Sequence, residues 1–205
     1  MHSTLMVVES WPTHRTPPRR VGEWRTDSSR AGVREPQAGD RQGFLKDPDD
    51  AGQGLPMKQK ELIDLMTTLD DAWNAGPGSP LWDTFRKRHT ENVAVYWPGG
   101  APPTRGRHNH DLEAVEFFKT FPDNHLINRP YRLLFADGNH TCSVAEFAGT
   151  MKGPMKVAEG KVIPPTGKSF HVEFCTVATW NDKGEITEER LFYDLVGLMK
   201  QIGLA

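Results

Sequence analysis

The sequence predicts an α+β domain in which a curved antiparallel sheet wraps a long N-terminal helix and encloses a central pocket. Three observations predict it. Helical spacing of apolar residues opens the patterned part of the chain, two pairs of β-rich runs joined by turn signals follow, and helical spacing returns at the end. A single sheet curled around helices cannot close its wide end with backbone alone, so inward side chains there line a ligand cavity.

The elements follow in order. Lys58 to Asn74 places Leu62, Leu65, Met66, Leu69 and Trp73 on one helical stripe, ended by Ala75-Gly76-Pro77-Gly78. Ser79 and Pro80 suit the start of a second, shorter helix through Leu81, Phe85 and Arg88. Val93 to Trp97 reads as a short strand stopped by Pro98-Gly99-Gly100. A third helix runs from Asn109 to Thr120, with Leu112, Val115, Phe118 and the following Phe121 expected on its buried side. Tyr131 to Ala136 and His140 to Thr150 form a hairpin about Asp137-Gly138-Asn139. Phe170 to Trp180 alternates an apolar with a more polar face, and Asn181-Asp182-Lys183-Gly184 turns it into a strand from Glu185 to Asp194. Leu195, Leu198, Met199 and Ile202 make a closing helix, with Gly203 as its stop.

Composition sets the boundary of this domain. Residues 1–56 hold only eight Leu, Ile, Val or Phe, against 35 in residues 57–205, so the first segment is expected to be a disordered extension and the folded domain to span 57–205. Met57, where the composition changes, is a plausible natural start. The first residues lack the apolar run of a signal peptide, Arg19-Arg20 lacks the sequel of a twin-arginine signal, and the acids argue against a transit peptide. A net charge of -2 removes the basic field that nucleic-acid binding requires. No stretch approaches the ~18 apolar residues of a membrane span. Cys142 and Cys175 are the only cysteines, too few for a disulfide scaffold or a cysteine zinc site. A cytoplasmic chain with neither nucleic-acid nor membrane partners is therefore expected.

Three local strings carry a resemblance. They are Arg105-Gly106-Arg107 before the third helix with Phe121-Pro122-Asp123 after it, Pro164-Pro165-Thr166-Gly167-Lys168, and the run from Gly184 to Gly203. With the order of elements, they make residues 57–205 resemble the SnoaL-like polyketide cyclase or ester cyclase family of the nuclear transport factor 2-like superfamily. The resemblance implies a cone-shaped fold, no metal or organic cofactor, and an aspartate at the junction of last strand and last helix as general acid and base in an aldol ring closure. Here that aspartate is Asp194. Many members have a histidine before the Pro/Gly turn, where this chain has Trp97.

The candidate residues each have two readings. Asp194 is either an acid/base whose pKa burial must raise, or simply the N-cap of the helix starting at Leu195. Arg190 and Phe192 share its face of a regular strand, and Arg190 could bind a substrate oxygen or, paired with Asp194, depress the base. His171 and Glu173 project either into the cavity or to solvent. Tyr96 and Trp97 either stack on a flat ligand or fill core, as does Trp180. His108, His110 and Asp111 lack a third metal ligand at a recognisable spacing, so capping and solvation account for them.

The expected function is a SnoaL-like cyclase, or related lyase or isomerase, acting without cofactor on a hydrophobic carbonyl compound. The alternative is a non-catalytic small-molecule-binding or dimerisation module of the same fold. A homodimer is expected, because the outer sheet face with Val177 and Thr179 needs a cover.

Overall fold

The structure is a computed structural model and describes residues 58–157 and 160–205. The expectation of a disordered segment before Met57 concerns residues outside the described ones. Helix α1 (Gln59–Ala75) leads through the Gly76 turn to α2 (Trp82–Lys87) and β1 (His89–Tyr96). Short β2 (Thr104–Arg105) precedes α3 (Arg107–Thr120), and β3 (His125–Ile127) precedes the hairpin of β4 (Leu133–Asp137) and β5 (His140–Thr150). A two-stranded ribbon, β6 (Met155–Lys156) with β7 (Val162–Ile163), leads to β8 (Ser169–Trp180), β9 (Ile186–Tyr193) and α4 (Leu195–Gln201).

The main sheet runs β2-β1-β9-β8-β5-β3, with β4 also paired to β5. The four long strands β4, β5, β8 and β9 pair antiparallel as expected, while β1 lies parallel to β9. The sheet is curved and not closed. On β5 and β8 alternate residues are buried, from Thr141, Ser143, Ala145 and Phe147 to Phe170, Val172, Ala178 and Trp180, as a half-buried sheet requires. α1 lies against β3, β4 and β5 and buries Leu62, Met66, Leu69 and Ala72. Trp73 is a hub between two core clusters. Its ring stands 4.9 Å from that of Phe118 and 5.9 Å from that of Phe117, and its indole N–H donates to Asn124 Oδ1 at 2.8 Å.

Two features depart from the sequence expectation and together shape the site. The buried residues of α3 are His110, Glu113, Ala114, Phe117 and Thr120, while Leu112 is exposed. Val115 and Phe118 pack half-buried against the core and Phe121 is buried, as expected, but Leu112 turns outward and His110 and Glu113 are carried inward. The second feature is a bulge in β9. Thr179 pairs with Glu188 and Trp180 with Ile186, which leaves Thr187 without a partner on β8. One extra residue reverses the alternation, so Ile186 is followed on the inner face by Glu189 and Leu191 instead of Glu188 and Arg190.

Candidate active site

Between α1, α3 and the inner sheet face lies a cavity partly open to solvent. Its walls are mainly aromatic, with Trp73, Phe85, Trp97, Phe117, Phe147 and Phe174. The polar groups set among them are Asp70 from α1, His110 from α3, Thr176 from β8 and Glu189 from β9. An apolar cavity with a few convergent polar groups is the usual form of a small-molecule site.

Asp70 is buried and accepts a 2.7 Å hydrogen bond from the Tyr131 hydroxyl at its Oδ2. Burial pushes its carboxyl up to about 7, against the pull of the Tyr131 hydrogen bond and with added repulsion from Glu189 and Asp71. In the same way burial raises the Tyr131 hydroxyl above its ordinary range, with the Asp70 charge adding to it. Glu113, one turn beyond His110, is also held up by burial, although Thr104 Oγ1 donates to it at 2.6 Å and Trp97 Nε1 at 3.1 Å. The bond to Glu113 holds Trp97 in place as a wall of the cavity.

Deeper in the fold, His89, His110 and Glu189 meet. Each is buried, and their ligand atoms lie within 4.8 Å of one another. His89 Nδ1 stands 2.9 Å from the Phe85 carbonyl, which can only accept, so Nδ1 carries a proton and donates it there. Burial, with His89 beside it, lowers His110 to about 3, so this imidazole is neutral near neutral pH. Burial opposes ionisation of Glu189, but the neighbouring imidazoles more than offset it and hold the carboxyl below its ordinary value.

Of the site residues expected from the sequence, Trp97 lines the cavity, while Asp194, Arg190, Phe192, His171, Glu173 and Tyr96 lie elsewhere. Asp194 is exposed at the start of α4, where its Oδ1 accepts from Gly197 N at 2.8 Å. Arg190 is on the outer face, 2.7 Å from Glu188 and stacked over the Tyr96 ring at 4.1 Å. Phe192 is 52% exposed. His171 and Glu173 point outward on β8, His171 at 2.9 Å from Glu146 and Glu173 at 3.8 Å from Arg132. The account of His110 as a capping, solvated residue is corrected, since it is 3% exposed and lines the cavity. Asp111 accepts from Trp82 Nε1 at 2.8 Å and from Arg86 at 3.0 Å.

The inner-face residues Asp70, Glu189 and His89 escaped the sequence reading. A signal existed for Asp70, which stands four residues after Met66 and three before Trp73, within the apolar stripe of α1. A carboxylate on that stripe is buried by construction.

The family model for SnoaL-like polyketide cyclases matches residues 63–202, from within α1 to the end of α4. The chain belongs to the SnoaL-like polyketide cyclase family. No curated protein matches it. Among solved structures it is similar to a candidate SnoaL-like polyketide cyclase from Jannaschia sp. CCS1, at 22% identity over 75% of this chain and 99% of that one, with a TM-score of 0.62. IdmH from Streptomyces antibioticus, a candidate polyketide cyclase, gives 23% identity over 70% and 99% of the two chains and a TM-score of 0.54. A Catenulispora acidiphila protein with a ketosteroid isomerase-like fold gives 16% identity over 69% and 94%, also with a TM-score of 0.54. At these identities the likeness is one of fold. Among the described residues, no helix of this SnoaL-like protein is long and apolar enough to cross a membrane.

Proposed function

We propose that this SnoaL-like protein takes a hydrophobic carbonyl compound into the aromatic cavity and moves a proton on it through Asp70, in an aldol-type cyclisation or a related isomerisation. The observation that carries this reading is the buried carboxyl of Asp70 on the cavity wall, raised to about 7, where it exchanges protons readily near neutral pH. The ionised carboxylate takes a proton from the carbon next to a carbonyl. The enolate carbon then forms a bond to a second carbonyl of the same molecule, and the alkoxide so generated takes the proton back from Asp70. The sum is an isomerisation with no change of oxidation state. The Thr176 hydroxyl is a polar group on the same wall able to donate to the developing oxyanion.

The same reading has the outer sheet face, where Leu133 and Phe135 of β4 are nearly half exposed, covered by a second copy of the chain. Sedimentation at micromolar concentration tests this, and a monomer would count against it.

The catalytic reading is tested by incubating the protein in deuterated buffer with hydrophobic aromatic 1,3-diketones and following α-hydrogen exchange by mass spectrometry. Exchange faster than in buffer, and reduced ~100-fold or more in Asp70→Asn, is the expected result. Probes that bind but exchange at the buffer rate would replace it with a non-catalytic binding module.

A further inference from the structure

We propose that His89, His110 and Glu189 form a binding site for a divalent transition-metal ion at the inner end of the cavity. Glu189 Oε2 lies 3.5 Å from His89 Nε2 and 3.7 Å from His110 Nε2. Ligand atoms ~2.1 Å from one metal ion at tetrahedral angles stand ~3.4 Å apart. The two separations to Glu189 are close to that spacing and longer than a direct charged hydrogen bond, and all three ligand atoms lie within 4.8 Å of one another.

The hydrogen-bond accounting points the same way. Buried polar side-chain atoms normally find partners, yet His89 Nε2 and both ring nitrogens of His110 are buried without one. His89 is oriented as metal-bound histidines are, its far ring nitrogen donating to a backbone carbonyl. Its Nε2 faces the Glu189 carboxylate at 3.5 Å, and a shared cation would partner this nitrogen, a His110 nitrogen and the carboxylate together. One proton could serve a single pair, but a metal ion serves all three groups.

Two imidazoles and one carboxylate suit zinc, cobalt or iron(II) rather than magnesium or calcium, which favour all-oxygen sets. The three ligands come from β1, α3 and β9, so no local spacing in the sequence announces them. His110 and Glu189 also line the cavity, so an ion held there borders the space where a ligand would sit. Three protein ligands leave a coordination position for a water or a substrate carbonyl, which the ion would polarise as a Lewis acid.

The test uses the full chain, treated with chelator and titrated with Zn²⁺ and, separately, Co²⁺. One equivalent is expected to bind, with a rise in thermal midpoint and a Co²⁺ visible spectrum of low coordination number. Loss of outer-shell partners alone typically weakens a metal ~10–100-fold. Glu189→Gln and His110→Gln should therefore weaken binding by more than ~100-fold, whereas His171→Ala, which removes the exposed pair with Glu146, should leave it unchanged. Absence of stoichiometric binding, or binding kept in both cavity variants, would overturn the site and leave an imidazolium–carboxylate pair in its place. Should those variants fail to fold, X-ray absorption of the metal-loaded wild type decides: two imidazoles and oxygen support the site, and any shell without imidazole overturns it. Asp70→Asn should still bind Zn²⁺ fully, so failure of the acid/base reading and failure of the metal site are distinguishable.

Discussion

The Tyr131 hydroxyl donates to Asp70 Oδ2 at 2.7 Å across the space between α1 and the start of the β4 hairpin. The bond favours the ionised carboxylate while burial favours the neutral acid, and burial prevails. Removing the donor should leave burial unopposed. Tyr131→Phe is expected to raise the Asp70 pKa above about 7, read by the ¹³C carboxyl shift during a pH titration, and to move the lower limb of the exchange-rate profile to higher pH. An unchanged midpoint would mean that the hydroxyl does not reach Asp70 in solution.

The same carboxyl sets a pH dependence of stability. An acid whose pKa is higher folded than unfolded binds its proton more tightly in the native state, so its contribution is complete at low pH. That contribution is lost as pH rises from the ordinary value of 3.8 to about 7, and no more is lost above it. The limiting slope is ~1.4 kcal/mol per pH unit. Asp70→Asn, neutral in both states, should flatten this part of the curve. Urea unfolding at intervals between pH 4 and pH 8, wild type against variant, checks the difference.

Most of the fold was legible in the sequence because its signals are local: the stripe of α1, the turn at Gly138-Asn139, the alternation of β8, and Gly203 after α4. The site was not, for two physical reasons. The bulge at Thr187 reverses which residues of β9 face inward, and a bulge depends on pairing with β1 and β8, not on β9 alone. Arg190 and Phe192 do share a face, but it is the outer one, and Glu189 takes the inner position. On α3 the apolar residues Leu112, Val115, Phe118 and Phe121 suggested the buried side. Val115, Phe118 and Phe121 do pack inward, while Leu112 is exposed and the polar His110 and Glu113, which carry no apolar signal, are buried beside them.

Glu113 supports the cavity wall from beneath. It accepts from Trp97 and Thr104, which join the end of β1 and β2 to α3. Glu113→Ala would leave the half-buried Trp97 indole N–H unpaired, at a cost of ~1–3 kcal/mol, with a cavity penalty beside it. Glu113→Gln keeps an acceptor and should cost less. Thermal unfolding ranks the two, and equal losses would show that the hydrogen bonds contribute little.

A backbone contact makes a sharper case at Gly153. A Cβ placed there would stand 1.8 Å from the carbonyl oxygen of Lys119, so the two segments approach too closely for any side chain. Gly153 N also donates to Thr120 O at 3.0 Å, which holds the ribbon against the end of α3. Gly153→Ala must push these apart and is expected to destabilise the fold by more than ~2 kcal/mol, measured by denaturant titration.

Asp194 distinguishes two placements of the acid/base. Its Oδ1 caps α4 through Gly197 N, and a Cβ at Gly197 would come within 2.2 Å of Oδ2, so the turn is built around this carboxylate. Asparagine caps a helix about as well as aspartate, whereas alanine costs ~1 kcal/mol. If Asp70 moves the proton, Asp194→Asn should keep both stability and α-hydrogen exchange, Asp194→Ala should lose stability only, and Asp70→Asn should lose exchange with the fold intact. If Asp194 is the base, as the family resemblance implies, Asp194→Asn should lower exchange ~100-fold or more at unchanged stability. Because asparagine preserves the cap, a fall in rate for that variant could not be assigned to unfolding, and it would return the chemistry from the aromatic cavity to the mouth of α4.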